Sequence, residues 1–498
     1  MTRPKTSLLL IGVTLLSTVL CLLFLGRRSL DLDEVTSLGY AHANWETFWT
    51  ALIHDTNMSL YYLLLRAWTN LGTNEFVTRA FSIIPAVATV LLVYVFGTRF
   101  YSRGTGILAA LLLTVNAFYI EYAQDARSYS LALCLVTLSC YLFISYVEHP
   151  SGKTWIGYVT ASVLAVYSHF FAVFVLVAQW TSLLRARHHS LPWRGIITGA
   201  VSVTFLSLPL AIVTYLTHQS QNIAWMPRFT FLSAYPLLYL TGGYPWLDRV
   251  GGRVLMGAYV GLCLLGLMEI RRAWSEPATQ AGTWRYDFLL SWLAVPILLT
   301  FGISLVVPFF QPRYLIVVVP ALVILASLGL LHVRQGGWRT GVLSVMLVLV
   351  ARSLFFYYTE FPKEGWREVT DYVASHAQAQ DAILFYTLED PYTYYVSRLH
   401  ASRTPTIVYP WAGDEDYEIS PRSIAASTVM VRLSCFSRAW LILSHDHEPN
   451  DKLRFGDALT VALADWGSLT RQKTFWDVRL LMFERRQPLN AGCSDLHK

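Results

Sequence analysis

Apolar runs dominate the first 358 residues and stop there. A membrane-spanning helix needs roughly 20 predominantly apolar residues. Stretches near that length recur at 7–25, 76–97, 105–120, 129–147, 155–168, 170–184, 195–216, 253–270, 288–307, 314–332 and 340–358. They predict about eleven transmembrane helices. The fifth and sixth are short and abut at Tyr167-Ser168-His169-Phe170. Beyond residue 359 the pattern alternates between helical and strand-like periods. Helices are expected over 366–377 and 453–464, and strands over 382–386, 406–409, 440–443 and 478–483. The expected fold class is a polytopic α-helical membrane domain, residues 1–358, followed by a soluble α/β domain, residues 359–498.

Composition supports this division. Of 498 residues, 54% are hydrophobic and 14% charged, against about 25% charged in a typical soluble domain. The mean hydropathy is +0.44. These figures exclude a soluble globular enzyme and a disordered chain, and six cysteines exclude a disulfide scaffold. The net charge of +6 divides unevenly. Residues 1–358 hold 23 Lys and Arg against 13 Asp and Glu, a balance of +10, and residues 359–498 hold 15 against 19, a balance of −4. The basic excess therefore belongs to the membrane part, and no nucleic-acid partner is expected. The acidic shift marks a boundary near Phe361-Pro362.

Arginines in alternate short loops set the orientation. Arg99 and Arg103; Arg185, Arg187 and Arg194; Arg271, Arg272 and Arg285; and Arg334 and Arg339 place those loops in the cytoplasm, with the N-terminus. Arg27 and Arg28 run against that trend and are outvoted. With eleven spans, the C-terminal domain lies outside, in the periplasm or beyond the plasma membrane. No A-x-A-like cleavage site follows Leu25, so the first apolar run reads as an uncleaved anchor.

The acids of the membrane part are scarce and clustered. Asp31, Asp33, Glu34, Glu46, Asp55 and Glu75 fall in the first outer loop, and Glu121 and Asp125 in the second. Acids beside a bilayer are costly and mark function more often than chance. Arg127, Arg228, Arg249 and Arg313 are cations on the same outer side, where snorkelling is the ordinary alternative. The planar fork of Arg matches phosphate oxygens. Carboxylates and guanidinium groups together suit sugar transfer from a lipid phosphate. A carboxylate takes the acceptor proton, and cations stabilise the departing phosphate. A divalent metal could replace part of the Arg charge, although no metal-ligand pattern indicates one and no cofactor is expected.

Six short motifs resemble those of GT-C fold glycosyltransferases, closest to the bacterial glycosyltransferase family 39-like group related to protein O-mannosyltransferases and aminoarabinose transferases. Leu30-Asp31-Leu32-Asp33-Glu34-Val35-Thr36-Ser37 resembles W-x-D-E-A-x-S. The run from Asp55 through Asn57, Met58, Ser59, Leu60, Tyr61 and Tyr62 to Leu65 is similar to D-x-H-P-P-L-Y-Y-L-L-L. Tyr122-Ala123-Gln124-Asp125-Ala126-Arg127-Ser128-Tyr129 is similar to Y-S-Q-E-A-R-x-Y, Tyr167-Ser168-His169-Phe170-Phe171 to Y-T-H-Y-F, and Pro312-Arg313-Tyr314-Leu315 to x-x-R-Y-L. Lys363-Glu364-Gly365-Trp366-Arg367 resembles K-E-D-W-R. Together they cover roughly residues 25–390.

The resemblance implies a membrane glycosyltransferase of the GT-C type. Such an enzyme moves a sugar from a polyprenyl-phosphate donor to a lipid, glycan or protein acceptor on the extracytoplasmic face, with inversion. It implies Asp33 as base, with Glu34 and Asp125 as further catalytic carboxylates. Asp55, Asn57, Tyr61, Arg127, Tyr129, His169, Arg228, Arg313 and Tyr314 would bind substrate, Arg313 near the lipid phosphate. A lone His at a helix end also serves readily as a structural residue. Asn57-Met58-Ser59 stands where relatives carry H-P-P, so the basic residue of that turn is gone and Asn57 offers only an uncharged hydrogen bond. A transporter or lipid flippase and a non-catalytic scaffold of the same fold are the alternatives. The chain shows no internal repeat of the kind transporters use.

The loop 217–252 is rich in aromatics, among them Trp225, Tyr235, Tyr239, Tyr244 and Trp246, which suit a membrane interface or a loop over the site. Cys435 and Cys493 could pair in an oxidising compartment. His445-Asp446-His447-Glu448 reads as a solvated turn rather than a metal site.

Overall fold

The computed structural model describes residues 3–185, 191–217, 230–275, 283–333, 335–361, 363–378, 380–386, 389–399, 404–409, 426–444 and 455–486. The chain divides into two compact units. The first comprises Met1–Gly26 and Ser37–Phe361, and the second Arg27–Thr36 and Pro362–Lys498. The sequence places Arg27–Thr36 with the membrane part, whereas these ten residues cluster with the C-terminal portion.

Helices occupy each apolar stretch of the first unit: α1 (Arg3–Leu22), α5 (Glu75–Phe100), α6 (Arg103–Thr114) with α7 (Ala117–Ala123), α8 (Tyr129–Glu148), α9 (Gly152–Ser168), α10 (Ala172–Ser182), α11 (Trp193–Leu216), α12 (Gly251–Ser275), α13 (Trp284–Ser304), α14 (Val319–His332) and α15 (Gly336–Glu360). Among the described residues, seven helical segments are long and apolar enough to cross a membrane, counting α14 with the 3₁₀ turn Pro312–Val318 that leads into it, or eight if α6 and α7, bent by 65°, form one broken span. The expected eleven exceeds this count because α1, α9 and α10 are shorter or less apolar within the described residues. The chain is a multi-pass membrane protein.

Three short helices interrupt the first predicted loop: α2 (Leu32–His42), α3 (Trp45–His54) and α4 (Ser59–Trp68). Asn44 caps α3 by accepting the Thr47 amide at 2.8 Å. Arg66 then ties α4 back, donating to the Ala41 and Ala43 carbonyls and lying 4.0 Å over the Trp45 ring.

Close helix crossings need glycine. α12 and α14 pack tightly, and a methyl on Gly329 would overlap the Leu262 carbonyl, while one on Gly266 would overlap that of Leu325. Gln124 satisfies the orphaned carbonyls at the end of α1. Its amide donates to Cys21 at 2.9 Å and Leu23 at 2.8 Å, and its oxygen accepts Tyr357 at 2.8 Å from α15. The turn that follows α7 is thereby fixed.

The second unit carries a five-stranded sheet in the order β2-β1-β3-β5-β4, with β1 (Asp381–Phe385), β2 (Thr406–Ile407), β3 (Arg438–Ser444), β4 (Gly467–Phe475) and β5 (Val478–Arg485). β1 runs parallel to β2 and β3, while β5 runs antiparallel to β3 and β4. α16 (Trp366–His376), α17 (Asp390–Val396), α18 (Ala426–Arg432) and α19 (Phe455–Trp466) complete the unit. β1 and β3 are buried nearly throughout, as strands covered on both faces are. Asp381, fully buried, accepts Arg438 at 2.9 and 2.7 Å, Trp440 at 2.8 Å and the Gln378 amide at 2.9 Å. β4 is an exposed polar edge joined to β5 by Trp476-Asp477, both at positive φ, as the tightest hairpins require.

Candidate active site

The first-loop acids build the start of α2. Asp31 precedes the helix, and its Oδ1 accepts the Glu34 amide at 2.9 Å, while Glu34 Oε2 accepts the Asp31 amide at 3.2 Å. This reciprocal pair is a capping box. Lys363 Nζ sits 3.2 Å from Asp31 Oδ2 and 2.9 Å from Glu34 Oε2. Glu34 has no solvent exposure. Two of the acids therefore hold the helix start, and Asp33, half-buried at the second helical position, is not a member of the cap. The helix N-terminus favours a carboxylate there.

In the first unit, Asp125 and Arg127 lie in the turn between α7 and α8, Asp125 half-buried and Arg127 buried. Arg127 Nη1 donates to Ser37 Oγ at 3.3 Å. Glu121, Arg313 and Asp125 all lie in the neighbourhood of Tyr122. Tyr244 donates to Glu121 and packs against Tyr239, Trp246 and Phe361, so part of the aromatic outer loop is tied to α7. Asp248 accepts a two-pronged bond from Arg352 at 2.5 and 3.0 Å, and this guanidinium holds its carboxyl below the usual range.

His169 lies at the junction of α9 and α10, buried among the rings of Tyr129, Phe171 and Tyr314, with centroids 5.4–5.6 Å away. Its Nδ1 accepts the Phe171 amide at 3.3 Å, which leaves the proton on Nε2. Nε2 has no hydrogen-bond partner among the described residues. Burial, and then the charges of Arg127 and Arg313, push the imidazole down to about 3. The ring is neutral at pH 7, a pure N–H donor beside two guanidinium groups. Arg313, at the start of the 3₁₀ turn Pro312–Val318, lies 5.7 Å over Tyr314. Such a set of donors binds an oxyanion.

The remaining candidates brace this cluster. Asn57 Oδ1 accepts the Phe170 amide at 3.1 Å and so fixes the chain next to His169. Asp55 accepts the Tyr62 hydroxyl at 2.6 Å, and the Tyr62 phenol is pushed up by burial and by Asp55. Tyr61 is fully buried with its hydroxyl 3.1 Å from Ser82, whose Oγ in turn reaches the Arg127 carbonyl at 3.5 Å. Tyr129 is likewise buried and supplies a ring face. The structure thus brings Arg127, His169, Arg313, Tyr129 and Tyr314 together, with Asn57, Tyr61 and Asp55 behind or beside them as supports. Arg228, Trp225 and His445–Glu448 lie outside the described residues. Lys363 and Glu121 carry roles that sequence reading alone did not assign, although both stand in or beside recognised motifs.

The chain is similar to several known proteins. Residues 58–215 match the family described as dolichyl-phosphate-mannose-protein mannosyltransferase. No curated protein matches the chain. Among solved structures, ArnT from Cupriavidus metallidurans in the apo state is similar, with a TM-score of 0.60 at 13% identity over 97% of this chain and 98% of that one. The same protein bound to undecaprenyl phosphate gives 0.57 at 13% identity over the same shares. The archaeal oligosaccharyltransferase AglB from Archaeoglobus fulgidus, in complex with an inhibitory peptide and a dolichol-phosphate, gives 0.52 at 11% identity over 93% of this chain and 72% of that one. The chain has the GT-C fold.

Proposed function

We propose that the chain is an integral membrane glycosyltransferase that moves a sugar from a polyprenyl-phosphate donor to a lipid, glycan or protein acceptor. The observation that carries this reading is the donor cluster of buried Arg127 and His169 with half-buried Arg313 within a GT-C fold. Guanidinium groups and an N–H donor suit a lipid phosphate, and the chain carries no glycine-rich P-loop or dinucleotide motif. The relatives support the choice of donor, since ArnT binds undecaprenyl phosphate and AglB a dolichol-phosphate. The loop arginines support a reaction on the extracytoplasmic side of the inner (plasma) membrane, with the second unit in the periplasm or outside.

The chemistry is a displacement at the anomeric carbon. The acceptor oxygen or nitrogen attacks the face opposite the phosphate, the bond from that carbon to the phosphate oxygen breaks, and the configuration inverts. Asp33 takes the acceptor proton. The electron pair leaves with the polyprenyl phosphate, whose growing charge is met by Arg127, Arg313 and the Nε2–H of His169. Asp125, beside Arg127, orients that guanidinium and the sugar.

Transfer by the full chain in liposomes tests this reading, with Asp33→Asn at matched expression. Loss of a general base costs about 10²–10⁴ in rate. Undiminished transfer by D33N would remove Asp33 from the role.

A further inference from the structure

We infer that Lys363 is a positioning residue for the transfer reaction, holding the first turn of α2 and through it Asp33; this rests on the reading of Asp33 as the base. Within the second unit, the residues after Pro362 hold the segment Arg27–Glu34 at four points. Lys363 spans both carboxylates of the capping box, at 3.2 Å from Asp31 and 2.9 Å from Glu34. Ser29 Oγ donates to Glu368 at 3.0 Å and accepts the Arg367 amide at 3.2 Å. Tyr395 Oη accepts the Leu30 amide at 2.8 Å. Arg367 Nη1 donates to the Arg27 carbonyl at 3.3 Å and lies 5.8 Å over the Tyr395 ring.

Three of these contacts fasten the backbone before the helix. Lys363 alone among them reaches the helix cap. Its ammonium offers three donors from a compact charge, which suits two carboxylates at different angles. Glu34 is fully buried, and a buried carboxylate deprived of its cation must move or take up a proton. Either response loosens the cap. Asp33 is covalently next to Glu34, so its carboxylate moves with the turn. Reactions that depend on a placed base are sensitive to such shifts, since a displacement near 1 Å costs about 10²-fold.

Lys363→Met, Lys363→Arg and Asp33→Asn are compared in the full chain in liposomes, with kcat, the KM for donor and Tm measured for each. In K363M, kcat of the folded fraction falls about 10²-fold while the KM for donor holds, and Tm falls with the stranded Glu34. K363R, which keeps a cation within reach, recovers most of the loss. A brace with no part in placing the base would lower Tm or yield and leave kcat of the folded fraction alone. If K363M does not fold, the double variant E34Q/K363M, which leaves no fully buried carboxylate without its cation, is read against E34Q in the same way. Wild-type kcat in K363M, or a loss that K363R shares in full, overturns the inference. If D33N is inactive and K363M fully active, this inference alone fails. If D33N is fully active, the base assignment fails and takes this inference with it.

Discussion

His169 gives a quantitative test of the buried anion site. Its imidazole ordinarily titrates at 6.5 and is pushed down to about 3 in the folded chain, by burial first and then by Arg127 and Arg313. A depressed histidine contributes stability that is fully present above about pH 6.5 and is lost as the pH falls toward 3, because the unfolded chain takes up the proton first. Between pH 7 and pH 5 the linkage relation puts this loss at about 2 kcal/mol. His169→Asn is the informative change, since its side-chain oxygen can still accept the Phe171 amide that Nδ1 accepts at 3.3 Å. The smaller side chain leaves a void among Tyr129, Phe171 and Tyr314, and that cost is the same at both pH values. Carboxylates elsewhere titrate alike in both proteins. Equilibrium unfolding by SDS in mixed micelles at pH 7 and pH 5 therefore isolates the imidazole. The wild type should lose about 2 kcal/mol more than H169N on acidification. Equal losses would show that His169 is not held neutral in a cationic, water-poor setting, and the donor role of Nε2 would go with it.

Three further outcomes follow from the geometry. Arg127→Gln and Arg313→Gln should each weaken donor binding about tenfold to a hundredfold, the worth of a charge-assisted hydrogen bond, with KM rising for polyprenyl-phosphate substrates; an unchanged KM in both would place the phosphate elsewhere. Asp381→Ala strands the half-buried Arg438 and the buried Trp440 donors and should destabilise the second unit by about 3 kcal/mol, read as faster proteolysis of that unit in the full chain; unaltered resistance would count against the network. Gly329→Ala drives a methyl into the Leu262 carbonyl and should cost about 1–3 kcal/mol in detergent thermal unfolding, a cost absent at Gly257, where a Cβ meets nothing.

What the sequence revealed depended on the physical signal each element carries. Long helices such as α5 and α12 announce themselves, because twenty apolar residues in a row have few other destinations. β1 and β3 are equally plain, being short apolar runs buried on both faces. β4 escaped notice because seven of its nine residues are exposed and its sequence Gly-Ser-Leu-Thr-Arg-Gln-Lys-Thr-Phe carries no alternation. Only pairing with β5 makes it a strand. The helices α2, α3 and α4 are short and sit between apolar runs, where a loop is the simpler reading. Within the candidate site, Arg127, His169 and Arg313 were visible as polar residues in apolar surroundings. The partner of Asn57 was not, since the Phe170 amide is 113 positions away. Asp31 and Glu34 have the spacing of a capping box, yet two acids beside a third read first as chemistry. Lys363 is 329 positions from Glu34, and no local pattern could join them. Cys435 is disulfide-bonded, while Cys493 lies outside the described residues. The four cysteines of the membrane part are free and buried or half-buried.

The central assignment, sugar transfer from a polyprenyl phosphate with Asp33 as base, is met most directly by mass spectrometry of lipid-linked sugars and surface glycans in cells lacking the gene. A polyprenyl-phosphate sugar should accumulate, one sugar should vanish from the envelope, and a plasmid carrying the wild type but not D33N should reverse both changes. Unaltered lipid-linked pools and glycans, or full restoration by D33N, would contradict it.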